Sequence, residues 1–296
     1  MIDDASTTLR TTDARPPVGR KRRLGDILAD QGKLDRREIG RVLEMQHRAG
    51  LRFGEASLRL NLISRGDLGQ AIATQFGLPH LLADNGQWSS ELVLALAPRH
   101  PRAEEIRALR GHLMMRRERG EWRGRRLALV SAAHGEGRSY LCANLAVAFA
   151  QLGLRTLLVD ADLRRPRQHR IFDVPDHLGL VALLDGRAGS EAVVPLAGLG
   201  PLHLLPAGAS PPNPAELLSR GAFAETLDAL QPGFDVVLLD TSAAETSADA
   251  HSVACRSGHA LVVARRGQPR VAAVDALLSQ LAEAGVRSLG MVFNAC

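Results

Sequence analysis

One segment constrains the fold of this chain more than any other. Between residues 127 and 145, a short apolar run is followed by a glycine-containing turn and a helix-favouring stretch. A phosphate-binding loop needs this order, because the N–H groups of the loop and of the helix N-terminus both point toward an anion. Against the pattern G-x-x-x-x-G-K-[ST], Gly137 and Ser139 are retained, whereas Ala132 stands at the first glycine and Arg138 replaces the lysine. The loop alone is therefore a weak indication of a nucleotide site.

Two further apolar runs end in acidic residues. Residues 157–159 are followed by Asp160 and Asp162, and residues 236–239 are followed by Asp240. In a parallel sheet, the carboxyl ends of neighbouring strands lie side by side at the edge that binds ligands. A glycine loop and three carboxylates at that edge predict a Mg²⁺–nucleotide site, although an acidic residue after a strand can also serve only as a cap or turn.

The composition excludes several classes of protein. A chain of 296 residues has room for a large core and for two domains. No apolar run reaches the length of about 18 residues that spans a membrane, and the N-terminus lacks the apolar core of a signal peptide. Cys142, Cys255 and Cys296 are few, odd in number and without metal-binding spacing, which is typical of a reducing compartment. We therefore expect a cytoplasmic protein.

Arginine carries almost all of the positive charge. The formal net charge is +5, and Lys21 and Lys33 are the only lysines. Aromatic residues make up 3% of the chain, too few to form the stacking platforms that bind single-stranded nucleic acid. The basic residues also follow no recognition-helix pattern, so we expect no nucleic-acid partner.

Composition and periodicity divide the chain into four parts. These are a disordered basic tail (residues 1–22), a helical domain built on a tandem repeat (23–83), a linker (84–100) and a larger domain (101–296). In the larger domain, apolar strand-like runs alternate with helical stretches, which is typical of a doubly wound parallel sheet.

The larger domain is similar to a known family. The motifs that carry the resemblance are E-x-x-R-x-x-R (Glu104, Arg107, Arg110), GEGRS (residues 135–139), VDADLRRP (159–166), PAGASPPNPAELL (206–218) and LLDTS (238–242). Together they resemble the bacterial tyrosine kinases of polysaccharide export (BY-kinases), and within them the EpsG-type chain-length-determinant kinases. The resemblance implies an α/β fold: a P-loop NTPase with a doubly wound parallel sheet of the MinD/ParA type, here preceded by a small, mainly helical N-terminal domain.

The resemblance also implies roles for individual residues. Ser139, Asp162 and Asp240 are expected to hold Mg²⁺, directly or through water. Asp160 is expected to activate the acceptor hydroxyl, with Arg138 and Asp162 as further catalytic residues. The residues expected to bind ATP are His134, Gly135, Glu136, Gly137, Arg138, Ser139, Tyr140, Arg164 and Asn294.

The sequence departs from the family pattern in three places. Arg138 offers phosphate a planar fork of donors instead of the compact charge of a lysine. Ser242 stands where the family usually has proline, and Tyr140 is the only tyrosine, so the tyrosine-rich tail that such kinases phosphorylate is missing. We therefore expect ATP hydrolysis, or phosphorylation of another protein, rather than tyrosine autophosphorylation in a tail.

The family implies two kinds of partner. In BY-kinases the E-x-x-R-x-x-R motif contributes to ring assembly, so Glu104, Arg107 and Arg110 predict a homo-oligomer; a solvated helix face is the alternative interpretation. A polysaccharide co-polymerase-type membrane protein is the second expected partner, and it would recruit the chain to the inner face of the membrane.

The N-terminal repeat resembles a second family, the MshEN domains of type II secretion and type IV pilus ATPases. Some of these domains bind cyclic di-GMP through tandem RLGxx…Q motifs. The matching residues are Arg23, Leu24, Gly25 and Gln46 in the first unit, and Arg52, Phe53, Gly54 and Gln75 in the second. The second unit is weaker, because Phe53 replaces leucine and Asn61 replaces glycine. A helical docking module whose glycines only cap helices is the alternative.

Three functions are compatible with these observations. The first is a Mg–ATP-dependent, tyrosine-kinase-like ATPase that regulates exopolysaccharide chain length and export together with a membrane partner. The second is a nucleotide-gated scaffold with little turnover, whose N-terminal repeat senses cyclic di-GMP. The third is a positioning ATPase of the ParA/MinD type; those proteins carry an additional lysine early in the loop, where this chain has Ala133.

Overall fold

The computed structural model describes residues 23–64, 67–68, 71, 75, 88–267 and 271–295. The predicted basic tail lies outside these residues. The chain divides into two compact units, Met1–Phe76 and Gly77–Cys296. None of the helices in the described part of the chain is both long and apolar enough to cross a membrane.

The N-terminal unit is helical in its described residues. Its helices are α1 (Leu24–Asp30), α2 (Arg36–Ala49) and α3 (Phe53–Arg59). A capping box starts α2: the Asp35 side chain accepts from the Glu38 N–H at 2.7 Å, and Glu38 accepts from the Asp35 N–H at 2.8 Å. Ile27, Leu28 and Leu34 are buried in the core of this unit. The first repeat therefore forms two short helices, as its periodicity predicted.

The turn after the first helix of each repeat keeps its conformation despite a substitution. Gly32 has φ +67°, and Asn61, at the equivalent position of the second repeat, has φ +54°. Asparagine is one of the few residues with a side chain that adopts this left-handed conformation readily. The replacement of glycine by asparagine in the second motif therefore leaves the backbone turn intact.

The second unit is built on a seven-stranded sheet. Its strands are β1 (Arg126–Val130), β2 (Thr156–Asp160), β3 (Val194–Pro195), β4 (Leu202–Leu205), β5 (Val236–Asp240), β6 (His259–Arg265) and β7 (Arg287–Asn294). Their order is β3-β4-β2-β5-β1-β6-β7, and the pairs are parallel except for β3 with β4. This topology confirms the predicted P-loop NTPase fold.

Helices cover both faces of this sheet. They are α4 (Val93–Leu96), α5 (Pro101–Glu118), α6 (Arg138–Ala150), α7 (Gln168–Ile171), α8 (Leu180–Leu184), α9 (Pro214–Ser219), α10 (Gly221–Leu230), α11 (Asp249–Ser257) and α12 (Val271–Glu283), with 3-10 turns at Ser190–Ala192 and Gln231–Gly233. Along β1, Leu127 and Leu129 belong to one apolar core, and Ala128 and Val130 belong to the other. Because successive side chains point to opposite faces of a strand, β1 is buried on both sides.

The register of the central strands brings the predicted acidic residues together. β2 pairs with β5 so that Asp160 lies opposite Asp240. β5 pairs with β1 so that Asp240 lies opposite Leu129, one residue before β1 ends. The loop that follows β1 therefore leaves the sheet at the edge where both carboxylates stand.

The predicted linker at residues 84–100 needs correction over its described part, residues 88–100. This segment contains α4 and packs on the sheet domain, where Leu94 is fully buried. The side chain of Asn144 on α6 holds it in place, accepting from the Leu94 N–H at 3.1 Å and donating to the Glu91 carbonyl at 2.8 Å. A contact with a helix so distant in the sequence leaves no local pattern, which is why the segment resembled a linker.

Candidate functional site

The loop between β1 and α6 has the backbone of a phosphate-binding loop. Gly135 and Gly137 have left-handed φ values of +74° and +90°, which residues with a Cβ adopt only at a cost in free energy. A Cβ at Gly137 would also stand 3.1 Å from Cγ of Asn294 and closer still to Nδ2. Asn294, at the end of β7, donates to the Glu136 carbonyl at 3.2 Å. The structure therefore places Asn294, a predicted nucleotide-binding residue, directly against the loop.

Two carboxylates accept hydrogen bonds from N–H groups of this loop. Glu136 accepts from the Ala133 N–H at 2.9 Å, and Glu245, which follows β5, accepts from the His134 N–H at 2.8 Å. Glu136 is buried, whereas Glu245 is exposed. Because a bound phosphate would use the same kind of donor, Glu245 stands where it would compete with an anion for the His134 amide.

Arg138 folds its guanidinium group into the loop. Its side chain is 6% exposed. Nε donates to the Thr241 carbonyl at 2.9 Å, and Nη1 donates to the Ala133 carbonyl at 3.1 Å and to the Ser131 hydroxyl. Nη2 lies 3.9 Å from Oδ2 of Asp162. The positive charge is therefore held at the base of the loop, facing one of the predicted metal ligands.

Asp160 is fully buried and organises the turn after β2. Its Oδ2 accepts from the N–H groups of Arg167 and Gln168 at 3.0 and 2.9 Å, and its Oδ1 accepts from the Asp162 N–H at 3.3 Å. Burial and the nearby charge of Asp240 raise the pKa of Asp160 well above its usual value, although these hydrogen bonds oppose the shift. A raised pKa is the direction expected for a carboxylate that acts as a general base.

Asp162 also shapes the turn after β2. Its Oδ1 accepts from the N–H groups of Arg164 and Arg165 at 3.3 and 3.0 Å. Its Oδ2 is the atom that faces the Arg138 guanidinium group. The Asp162 carboxylate thus lies between backbone N–H donors and the positive charge of Arg138.

Asp240 is fully buried at the end of β5. Its Oδ2 accepts from Nε2 of Gln168 at 2.8 Å, whereas its Oδ1 has no hydrogen-bond partner among the described residues. Burial raises the pKa of Asp240, and the charge of Arg138 and the side chains of Gln168 and Ser139 oppose that rise. One oxygen of Asp240 is therefore fixed by the protein and the other is available to a ligand.

These residues fit a hydrated Mg²⁺ better than a closed metal site. Within the described residues, no group of three or more His, Cys, Asp or Glu side chains is arranged to hold an ion by itself. Mg²⁺ keeps several waters and takes only one or two carboxylates together with substrate phosphates. Asp162, Ser139 and the unpaired Oδ1 of Asp240 offer the hard oxygen atoms that such an ion prefers. They fit Mg²⁺ that arrives with a nucleotide.

Two adjoining clefts lie over the loop. The first, of about 420 Å³, is lined by residues 134–139, Asp162, Arg165 and Arg167. The second, of about 440 Å³, shares Gly135, Gly137 and Arg167 with the first and is also lined by Tyr140 and Asn294. Their volumes are those of typical small-molecule sites. The first cleft therefore offers a place for phosphates, and the second a place for the nucleoside beside it.

Arg164 was predicted to bind nucleotide, but in the structure its side chain contacts another part of the protein. Its guanidinium group pairs with the buried Asp249 at the start of α11, with Nε 2.7 Å from Oδ2. This ion pair raises the pKa of Arg164 and joins the turn after β2 to α11. Arg164 lines neither cleft, whereas its neighbours Arg165 and Arg167 line the first.

The predicted ring motif lies on α5, and its residues divide into two groups. Glu104 and Arg107 form an ion pair at the helix surface, where the Glu104 side chain is 70% exposed. Arg110 instead donates to the Ala148 carbonyl of α6 at 3.0 Å. Burial and the neighbouring charge of Arg107 lower the pKa of Arg110. Arg110 therefore anchors α5 to its own domain.

In the N-terminal unit, the two predicted cyclic di-GMP motifs begin in equivalent places. Arg23 is the N-cap residue of α1, and Arg52 is the N-cap residue of α3. A Cβ at Gly25 would stand 3.1 Å from the Phe53 ring, so the starts of the two motifs pack against each other. Gln46 lies on α2.

The sequence prediction missed three residues of the site: Arg167, Gln168 and Glu245. Arg167 directly follows the DADLRRP motif, and this proximity was the signal that could have identified it. Gln168 is a buried glutamine at the start of a four-residue helix, and no sequence pattern distinguishes it from a surface residue. Glu245 contacts a loop whose sequence is distant from its own.

Comparison with known proteins identifies the family of the larger domain. The family described as cellulose biosynthesis protein BcsQ matches residues 125–284, more than half of the chain. CapB of Staphylococcus aureus, which carries the name of a tyrosine-protein kinase, is 32% identical over 197 residues, covering 67% of this chain and 86% of CapB. The chain belongs to the bacterial tyrosine-protein kinase family.

Etk of Escherichia coli, another bacterial tyrosine-protein kinase, is much longer than the segment that matches this chain. It is 32% identical over 200 residues, which cover 67% of this chain but 27% of Etk. The solved kinase domain of Etk superposes with a TM-score of 0.66 at 28% identity, covering 71% of this chain and 81% of that domain. The chain therefore spans about a quarter of the length of Etk, and the match falls on the kinase domain.

A more distant structure bears on the cofactors. The septum site-determining protein MinD of Pyrococcus horikoshii, solved as a complex with Mg-ADP, has a TM-score of 0.51 at 25% identity, covering 58% of this chain and 70% of MinD. It supports ATP and Mg²⁺ as the ligands of this fold. The resemblance of the N-terminal repeat to MshEN domains stays a prediction.

Proposed function

We propose that this member of the bacterial tyrosine-protein kinase family binds Mg–ATP in the first cleft and transfers the γ-phosphoryl group to water or to a protein hydroxyl. The observation that carries the proposal is the convergence of loop amides, Arg138, Ser139 and three buried carboxylates at one sheet edge. Phosphoryl transfer depends mainly on positioning and on neutralising charge. A site with these groups supplies both.

Each residue then has a defined task. The N–H groups of residues 135–139 bind the phosphate oxygens at the start of α6. Arg138 neutralises charge from the base of the loop. Mg²⁺, bound near Ser139, Asp162 and Asp240, would neutralise charge between the β- and γ-phosphates. Asp160 orients the attacking hydroxyl or water and accepts its proton.

The biological role we propose is regulation of exopolysaccharide chain length and export. The matched family is named for cellulose biosynthesis, which supports a role in polysaccharide production. As the BY-kinase resemblance implies, a polysaccharide co-polymerase-type membrane protein would recruit the chain to the inner face of the membrane.

Ring assembly would depend on Glu104 and Arg107, since Arg110 is used within its own domain. We expect Arg107→Glu to reduce the particle mass measured by light scattering after gel filtration, because the substitution reverses the charge of a partly exposed residue and breaks its ion pair with the exposed Glu104. Arg119→Glu, with the same charge change at the exposed end of α5, is the matched control. An unchanged mass for Arg107→Glu would argue against the ring motif.

A second candidate is a nucleotide-gated scaffold with little turnover, and one observation favours it. The Arg138 donors Nε and Nη1 are already bonded to groups of the protein, so Nη2, which faces Asp162, is the nitrogen left for contact with a transferred phosphoryl group. In this alternative, ATP binding controls the assembly of the scaffold, and the N-terminal repeat senses cyclic di-GMP. The contact between Gly25 and Phe53 supports that role, because it brings the two motif starts together.

The experiment that separates these functions follows the γ-phosphate. The full chain is incubated with Mg²⁺ and γ-labelled ATP, with and without cyclic di-GMP, and both free phosphate and labelled protein are counted. The kinase-like ATPase predicts turnover that Asp160→Asn abolishes, because the amide keeps the shape of the residue but is not a base. ATP binding with no turnover would favour the scaffold, and absence of ATP binding would contradict both.

A further inference from the structure

Gln168 is a fully buried glutamine in the middle of the candidate site, and none of the roles above uses it. We propose that Gln168 is a positioning residue that fixes Asp240 and the first turn of α6 in the arrangement that accepts Mg²⁺ with the nucleotide. This inference rests on the proposed Mg–ATP site and assigns a determinant of its metal affinity.

The hydrogen bonds of the side chain determine its orientation. Nε2 donates to Oδ2 of Asp240 at 2.8 Å and to the carbonyl oxygen of Ser139 at 3.1 Å. A carbonyl oxygen only accepts hydrogen bonds, so the amide must direct its NH₂ group, and not its oxygen, toward Ser139. The carboxylate of Asp240 is thereby held by a donor on the same amide.

The main chain of Gln168 extends this connection to a third element. Its N–H donates to Oδ2 of Asp160 at 2.9 Å. One residue at the start of α7 therefore joins the end of β2, the end of β5 and the start of α6. These are the three elements that carry the predicted metal and phosphate ligands.

The consequence for Asp240 is that its two oxygens have different tasks. Oδ2 is fixed by Gln168, and Oδ1 has no hydrogen-bond partner among the described residues. With Oδ2 fixed, the carboxylate keeps one orientation, and Oδ1 remains available to a Mg²⁺ ion or its water shell. Groups that orient a metal ligand from behind typically change metal affinity by about 10- to 100-fold when they are removed.

The test measures how much Mg²⁺ the full chain needs to bind a fluorescent ADP analogue. Mg²⁺ is titrated at a fixed analogue concentration, and the affinity for the analogue is measured separately in EDTA. Gln168→Leu removes both side-chain hydrogen bonds at a similar volume. Gln168→Glu keeps the shape but places a carboxylate oxygen, which accepts hydrogen bonds, against Oδ2 of Asp240 and the Ser139 carbonyl oxygen, which also accept them. Gln151→Leu, at the partly exposed C-terminal end of α6, is the matched control.

We expect Gln168→Leu to raise the Mg²⁺ concentration for half-saturation about tenfold. Gln168→Glu should raise it further, and the affinity in EDTA should stay within about twofold of the wild type in both variants. If the side chain only filled space, glutamate would be tolerated as well as glutamine. A higher Mg²⁺ requirement in Gln168→Glu than in Gln168→Leu therefore separates positioning from packing. The control should match the wild type.

Two results would overturn the proposal. One is an unchanged Mg²⁺ requirement in both Gln168 variants; the other is an equal loss of affinity with Mg²⁺ and in EDTA. Circular dichroism checks folding, and if Gln168→Leu does not fold, the nearly isosteric Gln168→Glu decides the outcome. A wild-type chain that binds the analogue independently of Mg²⁺ would contradict the proposed function itself, and the role of Gln168 would fall with it.

Discussion

Gly137 is the residue of the loop at which a single added methyl group should have the largest effect. It combines a left-handed φ of +90° with an Asn294 side chain that occupies the position a Cβ at Gly137 would take. Gly135, two residues earlier, has a φ of +74° and nothing within 4 Å of its Cβ position. The substitutions Gly137→Ala and Gly135→Ala therefore share the backbone strain and differ only in the contact.

The expected loss of stability follows from these two terms. A left-handed backbone destabilises a residue that carries a Cβ by about 1–2 kcal/mol. At Gly137, the Asn294 side chain must also withdraw and lose its hydrogen bond to the Glu136 carbonyl, worth about 0.5–1.5 kcal/mol. Gly135→Ala should therefore reduce the free energy of unfolding by about 1–2 kcal/mol, and Gly137→Ala by about 1.5–3.5 kcal/mol.

Urea unfolding of the full chain, followed by circular dichroism, measures both values. A double-substitution cycle with Asn294→Ala isolates the contact, because removing the Asn294 amide leaves space for the new methyl group. In that background, Gly137→Ala should destabilise no more than Gly135→Ala does. The reasoning is refuted if Gly137→Ala and Gly135→Ala are equally destabilising, or if Asn294→Ala does not reduce the effect of Gly137→Ala.

Three further predictions concern charge. Asp162→Asn should abolish most of the gain in ADP affinity that Mg²⁺ provides, measured by calorimetry, because the amide keeps the hydrogen-bonding oxygen but lacks the charge. Glu245→Ala should raise ADP affinity in EDTA about two- to fivefold, since it frees the His134 amide for phosphate. The Lys33 ammonium, 2.7 Å from Asp67, and the Ser64 hydroxyl and N–H lower the pKa of Asp67 from 3.8 to about 2. Asp67 should therefore contribute stability that is complete above pH 3.8 and lost as the pH falls toward 2. In the Lys33→Met variant, an NMR titration should show the pKa of Asp67 returning toward 3.8.

Each of these predictions has a matched control. Asp275→Asn and Glu225→Ala change exposed carboxylates on α12 and α10 and should leave ADP binding unchanged. Lys33→Arg keeps a cation beside Asp67 and should preserve the lowered pKa. A full Mg²⁺ effect in Asp162→Asn, a lower ADP affinity in Glu245→Ala, or an unshifted Asp67 in Lys33→Met would contradict the corresponding argument.

The parts of the site that depend on local sequence were predictable. The glycine loop and the acidic residues after β2 and β5 follow apolar runs, and parallel strands place such ends at one edge. Asn61 shows the limit of reading a motif by residue identity alone. It weakened the second repeat in the sequence, yet it adopts the same left-handed turn as Gly32.

The parts that depend on distant contacts were not predictable. Glu91 and Leu94 are held by Asn144, which lies on another helix, so a packed segment resembled a linker. Arg164 belongs to a motif that predicts nucleotide binding, but its partner is Asp249 on α11. In both cases a polar side chain is satisfied by a residue that the local sequence does not identify.

The central claim is that the loop cleft is a Mg²⁺–nucleotide site, and calorimetric titration of the full chain with ADP, in Mg²⁺ and in EDTA, tests it most directly. The account predicts one ADP bound per chain in Mg²⁺ and clearly weaker binding in EDTA. The absence of binding heat under both conditions, or the same affinity with and without Mg²⁺, would contradict it.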